Sequence, residues 1–159
     1  METLHSVEAT KRHPIGREGT VGATTARLLG LSKSYGSELS LAARAEHGLP
    51  FSALHSLRKW LALTDDEVYQ LIGPRRTLSR REAARQPLSR DESDRAVRLA
   101  RVGAHAMNVF NREPEYALEW LRKAQADLGD RSPLQLLATD SGARAVEEVL
   151  VAMEHGIFA

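Results

Sequence analysis

The pattern of apolar and polar positions along the chain predicts a succession of helices. From residue 37 onward, apolar residues recur every three or four positions, and helix start and stop signals separate one segment from the next. No segment alternates with the two-residue period of a β-strand. The predicted helices cover residues 39–47, 52–61, 64–73, 74–85, 89–111, 114–129, 133–137 and 139–156. This pattern indicates an all-α fold.

Several of these helices carry start signals that are local in the sequence. In a capping box, a Ser or Thr side chain accepts from the amide three residues on, and a Glu or Gln at that position reaches back. Three pairs have this spacing: Thr64 with Glu67, Ser89 with Glu92, and Ser132 with Gln135. Pro74 and Pro114 are placed as first helical residues, where the missing N–H costs nothing.

The chain divides into three regions. Residues 1–36 are rich in Gly, Thr and Ser, and we interpret them as a mobile lead-in with room for one short helix near residues 26–31. Residues 37–111 hold a helix-turn-helix pattern and the long helix 89–111, whose apolar stripe and arginines exceed what a lone small bundle needs. Residues 112–159 form a small helical C-terminal domain. Because paired helix-turn-helix units read paired half-sites, we expect a homodimer.

Composition narrows the class of protein. Apolar residues make up 42% of the 159 positions and aromatic residues only 5%, so the core is expected to consist of Leu, Ala and Val. The chain has no cysteine, which excludes disulfides and Cys-ligated zinc. It has no run of about 18 apolar residues that would span a membrane. Residues 1–17 lack the apolar stretch of a secretory signal. We therefore expect a cytoplasmic protein.

Charge is distributed unevenly between the two halves. The formal net charge is +1, but residues 1–90 carry 14 Lys and Arg against 9 Asp and Glu, whereas residues 91–159 carry 8 against 12. Such asymmetry suggests different partners for each half. A basic half suits phosphate, and an acidic half suits protein.

The strongest mechanistic signal lies in residues 64–85, where two short helices flank a turn containing Gly73 and Pro74. This is the layout of a helix-turn-helix, whose second helix enters the DNA major groove. Arg can bond the O6 and N7 atoms of guanine as a fork, and Ser or Thr can reach a base or a phosphate. The alternative is a basic helix that is merely solvated. The candidate DNA-binding residues are Arg75, Arg76, Thr77, Ser79, Arg80 and Arg81.

The one-turn spacing of residues 76 and 80, and of 77 and 81, predicts that these four side chains share one face. Leu78 and Ala83 are then expected to pack inward.

Catalytic patterns are absent or poor. The six histidines show no metal-ligand spacing, and paired carboxylates such as Asp65-Asp66 and Glu147-Glu148 occur at helix starts or exposed turns. The glycine-rich residues 16–22 lack the Gly-Lys-Ser/Thr ending of a phosphate-binding loop. The sequence therefore predicts a protein that is not an enzyme and that needs no metal or cofactor.

The C-terminal residues are unusual for a chain end. Ile157 and Phe158 are large and apolar, and they follow the helix stop at Gly156. They either fold back onto the core or insert into a partner, and their spacing leaves both readings open.

Residues 48–159 together resemble the Xre/MbcA/ParS family of antitoxins, which are paired with RES-domain toxins. Residues 76–81 match the family's Arg-Thr-Leu-x-Arg-Arg pattern, and residues 88–102 resemble its long central helix. Residues 48–50 resemble the segment that precedes its first helix, and residues 133–156 resemble its C-terminal toxin-binding region. The chain departs from the family pattern in residues 124–130, where the family has a different turn, and at His155, where it commonly has an aromatic residue.

The resemblance implies packed helices, a homodimer and two activities. One is neutralisation of a RES-domain toxin, similar to ADP-ribosyltransferases, by covering the active site at which the toxin degrades NAD. The other is repression of the protein's own operon through operator DNA. It also implies that the tail approaches the toxin's NAD pocket. The candidate toxin-binding residues are Arg144, Glu147, Glu148, Glu154, His155, Gly156, Ile157 and Phe158.

Two other functions compete with this interpretation. One is a stand-alone helix-turn-helix transcriptional regulator whose C-terminal helices dimerise or bind a ligand, and the other is an enzyme with a site of unfamiliar pattern. The Leu-Leu-x-Thr-x-x-Gly-Ala pattern at residues 136–143 favours the antitoxin, because an ordinary repressor has no reason to carry it.

Overall fold

The computed structural model of the chain describes residues 20–156, which form packed α-helices without a β-strand. The predicted all-α fold is confirmed. Two short 3-10 helices, Lys33–Tyr35 and Ala126–Leu128, lie between the α-helices. The α-helices of the described part are α1 (Val21–Leu28), α2 (Glu38–Glu46), α3 (Phe51–Trp60), α4 (Asp65–Leu71), α5 (Arg75–Ala83), α6 (Arg90–Val109), α7 (Pro114–Arg122), α8 (Pro133–Leu136) and α9 (Asp140–Glu154).

The three capping boxes read from the sequence are all formed, at the starts of α4, α6 and α8. At α6, for example, the Ser89 hydroxyl accepts from the Glu92 amide at 3.1 Å, and the Glu92 carboxylate accepts from the Ser89 amide at 2.7 Å. A further box at the start of α2 pairs Ser37 with Ser40. Such caps satisfy amides that the first turn of a helix leaves without partners.

The bounds of α5 and α7 differ from the prediction. Pro74 is the N-cap of α5 rather than its first residue, and α5 ends at Ala83. The helix predicted to run from Pro114 to Gly129 ends at Arg122, because Lys123 is extended at φ −87° and ψ 138°. Residues 124–131 then form a loop in which Gln125 and Arg131 make a bridge and Gly129 adopts a left-handed conformation.

Residues 20–36 of the predicted lead-in contain α1, which overlaps the region where the sequence left room for a short helix, and the 3-10 helix Lys33–Tyr35. Helix α1 packs on α6, and Leu28 and Leu29 are 1% exposed. The Thr20 side chain caps α1, and the Thr25 hydroxyl donates to the Val21 carbonyl at 2.8 Å, which satisfies a fully buried side chain. Burial of this short apolar stretch, which composition alone does not reveal, holds it on the core. Residues 1–19 lie outside the described residues.

Helix α6 is the centre of the fold. It contacts α1, α2, α3, α4, α7 and α9, and small buried residues let these neighbours approach closely. At Gly103, a methyl group would lie 2.9 Å from Leu61 Cδ2 and 3.4 Å from Leu28 Cδ1, so glycine makes room for α1 and for the end of α3. The Leu- and Ala-rich core expected from composition is present.

Candidate functional site

Helices α4 and α5 form the predicted helix-turn-helix, joined at Gly73 and Pro74. Val68, Leu71 and Ile72 anchor α4 and the turn in the core, and Leu78 anchors α5 at 4% exposure. Since α5 buries only this residue, its other sides are open to solvent or lie against α6.

The outward face of α5 carries the basic residues expected to contact DNA. Arg76 and Arg80 are exposed and lie on the side of the helix opposite Leu78, and Arg75 and Ser79 are exposed beside them. Ala83 is also exposed, so the prediction that it packs inward is wrong. At about 100° per residue, position 83 falls beside 76 and 80, away from Leu78.

The prediction that residues 76, 77, 80 and 81 share one face of α5 holds for Arg76 and Arg80 but not for the other two. Thr77 and Arg81 lie a turn apart on the side of α5 that is partly buried. Arg81 Nε is 3.3 Å from Glu92 Oε2, and the side chains are 28% and 6% exposed, respectively. The structure therefore divides the candidate arginines into an outward group and an inward one.

The first turns of α6 hold the helix-turn-helix in place. Arg95 Nη1 donates to the Ile72 carbonyl at 2.9 Å, at the end of α4. The Ser93 hydroxyl accepts from the Leu49 amide at 2.8 Å, 44 positions earlier in the chain. Sequence reasoning missed these residues, because contacts between distant positions leave no local pattern.

A second polar junction joins the C-terminal half to the helix-turn-helix. Arg122 Nη2 of α7 donates to the Ala62 carbonyl at 2.7 Å and to Glu67 Oε2 at 3.0 Å. The hydrogen bond from Arg122 holds the pKa of Glu67 below its usual range, and Glu67 in turn raises the pKa of Arg122. A cavity of about 260 Å³ beside this pair is lined by α4, α7 and α8.

Helix α9 presents an outward stripe that includes several predicted toxin-binding residues. Arg144, Glu148 and His155 are exposed, at spacings that place them on one side of the helix, and Gly156 is exposed just beyond its end. Val151 lies in the same stripe and is 46% exposed, one of the few large apolar side chains so exposed in the described residues. The sequence analysis missed it, because an isolated Val in an apolar helix looks like a core residue.

Glu147 and Glu154 are both paired with α6, although Glu147 is only partly buried and Glu154 remains exposed. Glu147 Oε1 is 2.9 Å from Arg101 Nε, and Glu154 is 3.3 Å from His105 Nε2 and 3.2 Å from Asn108 Nδ2. Their partners all belong to α6, so these carboxylates are used within the chain.

The pairs between α6 and α9 also define how the helices run. Arg98 pairs with Asp140, Arg101 with Glu147, and His105 with Glu154, in the same order along both helices. Helices α6 and α9 are therefore side by side and parallel, and acidic side chains of α9 are partly neutralised by basic side chains of α6.

Gly142 allows the start of α9 to pack closely against the end of the preceding short helix, α8. A Cβ there would lie 2.0 Å from the Leu136 carbonyl oxygen, a distance no side chain tolerates. Ile157 and Phe158, the remaining predicted toxin-binding residues, lie outside the described residues.

The described residues offer no group of three or more His, Asp or Glu side chains arranged for a metal ion. Within residues 20–156, no helix is both long and apolar enough to cross a membrane.

Comparison with known proteins shows that each half of the chain matches a family model. Residues 40–101 match the family model of the antitoxin Xre-like helix-turn-helix domain. Residues 105–156 match that of the antitoxin Xre/MbcA/ParS C-terminal toxin-binding domain. The boundary between the two matches falls within α6, the helix that contacts both halves.

Individual relatives extend the similarity over the full length. An Antitoxin Xre from Yersinia enterocolitica is 30% identical over 159 residues, covering 99% of each chain. An Antitoxin Xre from Photorhabdus laumondii is 31% identical over 132 residues, 82% of this chain and 88% of the relative. A "Prs ADP-ribosylating antitoxin" from a Sphingobium species is 30% identical over 91 residues, 52% of this chain and 57% of the relative. The chain therefore belongs to the Xre family of antitoxins, with a helix-turn-helix domain followed by an Xre/MbcA/ParS toxin-binding domain.

Proposed function

We propose that this chain acts in the cytoplasm as the antitoxin of a RES-domain toxin that degrades NAD, and that it represses its own operon by binding operator DNA as a homodimer. The observation that carries the proposal is the presence of two separate exposed surfaces on one continuous helical core. One is the basic outward face of α5, and the other is the outward stripe of α9. The proposal assigns no catalytic step to this chain.

The α9 stripe supports the toxin-binding half of the proposal. It combines the charged side chains of Arg144 and Glu148 with the exposed Val151, and it leads towards Gly156 and the tail. A NAD-degrading enzyme needs an open pocket for a large anionic dinucleotide, which an antitoxin can fill or cover. The Sphingobium relative's name connects that protein with ADP-ribosylation, a reaction that consumes NAD. In our proposal, Ile157 and Phe158 enter the pocket while the α9 stripe lies on its rim.

The outward face of α5 supports the DNA-binding half. Arg76 and Arg80 lie one turn apart, are exposed and face away from the core, so both can enter the same major groove. Arg75 and Ser79 flank them and are available to phosphates or bases. A second copy of the chain would supply the other half-site, since helix-turn-helix dimers read half-sites about one DNA turn apart.

Co-expression with a RES-domain protein encoded by a neighbouring reading frame tests the antitoxin function. Cells that express the toxin alone should stop growing and lose NAD, and the full-length chain should restore both growth and NAD. A chain that lacks residues 157–159 should stay folded, because the described core is complete without them, and should protect poorly. Continued loss of NAD with the full-length chain would refute neutralisation, and full protection by the shortened chain would refute the tail-in-pocket arrangement.

A further inference from the structure

The inward side of α5 contacts α6 through one charged pair. Glu92 lies in the first turn of α6 with its side chain only 6% exposed, and Arg81 Nε is 3.3 Å from Glu92 Oε2. Arg81 Nε is itself buried and has no well-aligned hydrogen-bond acceptor among the described residues. The contact is therefore a pairing of charges. A carboxylate buried this deeply needs a nearby positive charge, and Arg81 supplies it.

The Glu92 side chain is held from a second direction. Its Oε2 atom accepts from the Ser89 amide at 2.7 Å, so the capping box fixes the carboxylate at the start of α6. Gly73 of the helix-turn-helix lies against the same side chain, since a Cβ at that position would be 3.5 Å from Glu92 Cγ. Glu92 thus contacts the turn that precedes α5 and, through Arg81, the body of α5 itself.

The direction of Arg81 sets it apart from the other arginines of α5. It follows Leu78 by three residues and lies on that buried side of the helix, whereas Arg76 and Arg80 lie on the opposite side. When the outward face of α5 enters a major groove, Arg81 remains towards α6. Its charge compensates Glu92 rather than a phosphate.

From this geometry we infer that Arg81 and Glu92 are a positioning pair for α5. Arg81 supports DNA binding by fixing where Arg76 and Arg80 stand, and the buried acid Glu92 supports DNA binding as well. The inference rests on the proposed DNA-binding function and deepens it, because it assigns different roles to two arginines of the same helix.

The sign of the effect of Glu92→Gln provides the test. Removal of a negative charge near DNA should by electrostatics alone tighten binding, because DNA is an anion. The positioning role predicts the opposite, a loss of about tenfold in affinity for a duplex that contains the region upstream of the protein's own reading frame. A shuffled duplex of the same length measures non-specific binding. Asp91→Asn is the matched control, since Asp91 is an exposed acid beside Glu92 in the first turn of α6 and its loss should leave binding unchanged or tighter.

Arg81→Met should weaken binding to the upstream duplex to a similar degree without changing its salt dependence. Loss of a phosphate contact would instead lower the slope of log K against log salt by about 0.9. The double variant Arg81→Met/Glu92→Gln should lose little more than either single variant, because the two residues act as one unit. Circular dichroism and thermal unfolding of each variant show whether it is folded.

Glu92→Asp separates position from charge if Glu92→Gln fails to fold. It keeps the net charge and shortens the reach towards Arg81, so any loss of specific binding reports displacement of α5. Two results would overturn the inference and leave the DNA-binding function standing. One is unchanged specific binding by a folded Glu92→Asp variant. The other is a lowered salt slope for Arg81→Met together with unweakened DNA binding by Glu92→Gln. If the wild-type chain shows no preference for the upstream duplex, or Arg76→Ala/Arg80→Ala keeps the full preference, the DNA-binding proposal itself fails and the inference fails with it.

Discussion

Arg101 of α6 and Glu147 of α9 are 2.9 Å apart at Nε and Oε1, across the junction between the two family domains. The same guanidinium lies 3.6 Å from Glu38 of α2 at its Nη1 atom. One arginine thus connects α2, at the start of the helix-turn-helix half, with the C-terminal helix. The residue that the sequence offered as a toxin contact, Glu147, is engaged within the chain.

Glu147→Ala is therefore expected to lower the free energy of unfolding. Both side chains of the Arg101 pair are about one-third exposed, at 34% and 30%, so solvent weakens the pairing. We expect a loss of about 0.5–1 kcal/mol, measured by urea unfolding. The adjacent exposed Glu148 is the matched control, and Glu148→Ala should change stability by less than about 0.5 kcal/mol. A Glu147→Ala protein as stable as wild type that has lost toxin affinity would contradict this assignment.

Arg76→Ala/Arg80→Ala is expected to weaken binding to the protein's own upstream region. Each direct base contact is worth about 1–3 kcal/mol, whereas a lost phosphate contact weakens all sequences alike and flattens the salt dependence. Titrations at several salt concentrations distinguish the two. The double variant should still neutralise the toxin, because the proposal assigns toxin binding to the α9 stripe and not to α5. An unchanged affinity at every salt concentration would reject α5 as the helix that reads DNA.

Val151→Ser is expected to weaken toxin binding without a measurable loss of stability. Val151 is 46% exposed within the α9 stripe, so its removal creates no core cavity. We expect a loss of affinity of up to about tenfold, the size reached when the truncated side chain is fully buried near the centre of an interface. Isothermal titration with the purified toxin measures the effect. Glu154→Ala is the control from the α6-facing side of α9, and equal losses of affinity for both variants would refute the outward stripe as the contact.

The Glu67–Arg122 pair is expected to stabilise the fold in a pH-dependent way. The Arg122 hydrogen bond lowers the pKa of Glu67 in the folded chain below the usual 4.5. A depressed folded pKa contributes stability that is complete above the unfolded value and is lost as the pH falls through the folded value. The melting temperature of Glu67→Gln should therefore be lower than that of the wild type near neutral pH, and this difference should shrink in acid. A difference in melting temperature that stays constant down to about pH 3 would contradict the assignment.

Local patterns in the sequence predicted the helix starts well, for a simple reason. A capping box such as Thr64 with Glu67 needs only residues three positions apart, and the structure forms it with hydrogen bonds of 2.8 and 3.2 Å. The helix-turn-helix is predictable on the same grounds, since Gly73, Pro74 and the apolar spacing of α4 are all local. The resemblance of residues 133–156 to a family region could also be recognised from the sequence. The structure explains why a glycine stands at position 142, because the Leu136 carbonyl leaves no room for a Cβ.

Which side of each helix is used depends on tertiary packing. A one-turn spacing places residues 77 and 81 together, yet only the position of Glu92 shows that Arg81 is turned inward. Likewise Glu147 and Glu148 are alike in sequence, and the location of Arg101 on a parallel α6 decides which of them is exposed. The sequence left room for a short helix near residues 26–31, but only the space beside Gly103 on α6 shows where α1 packs. Side-chain spacing is a property of the segment, whereas burial and charge pairing depend on residues tens of positions away.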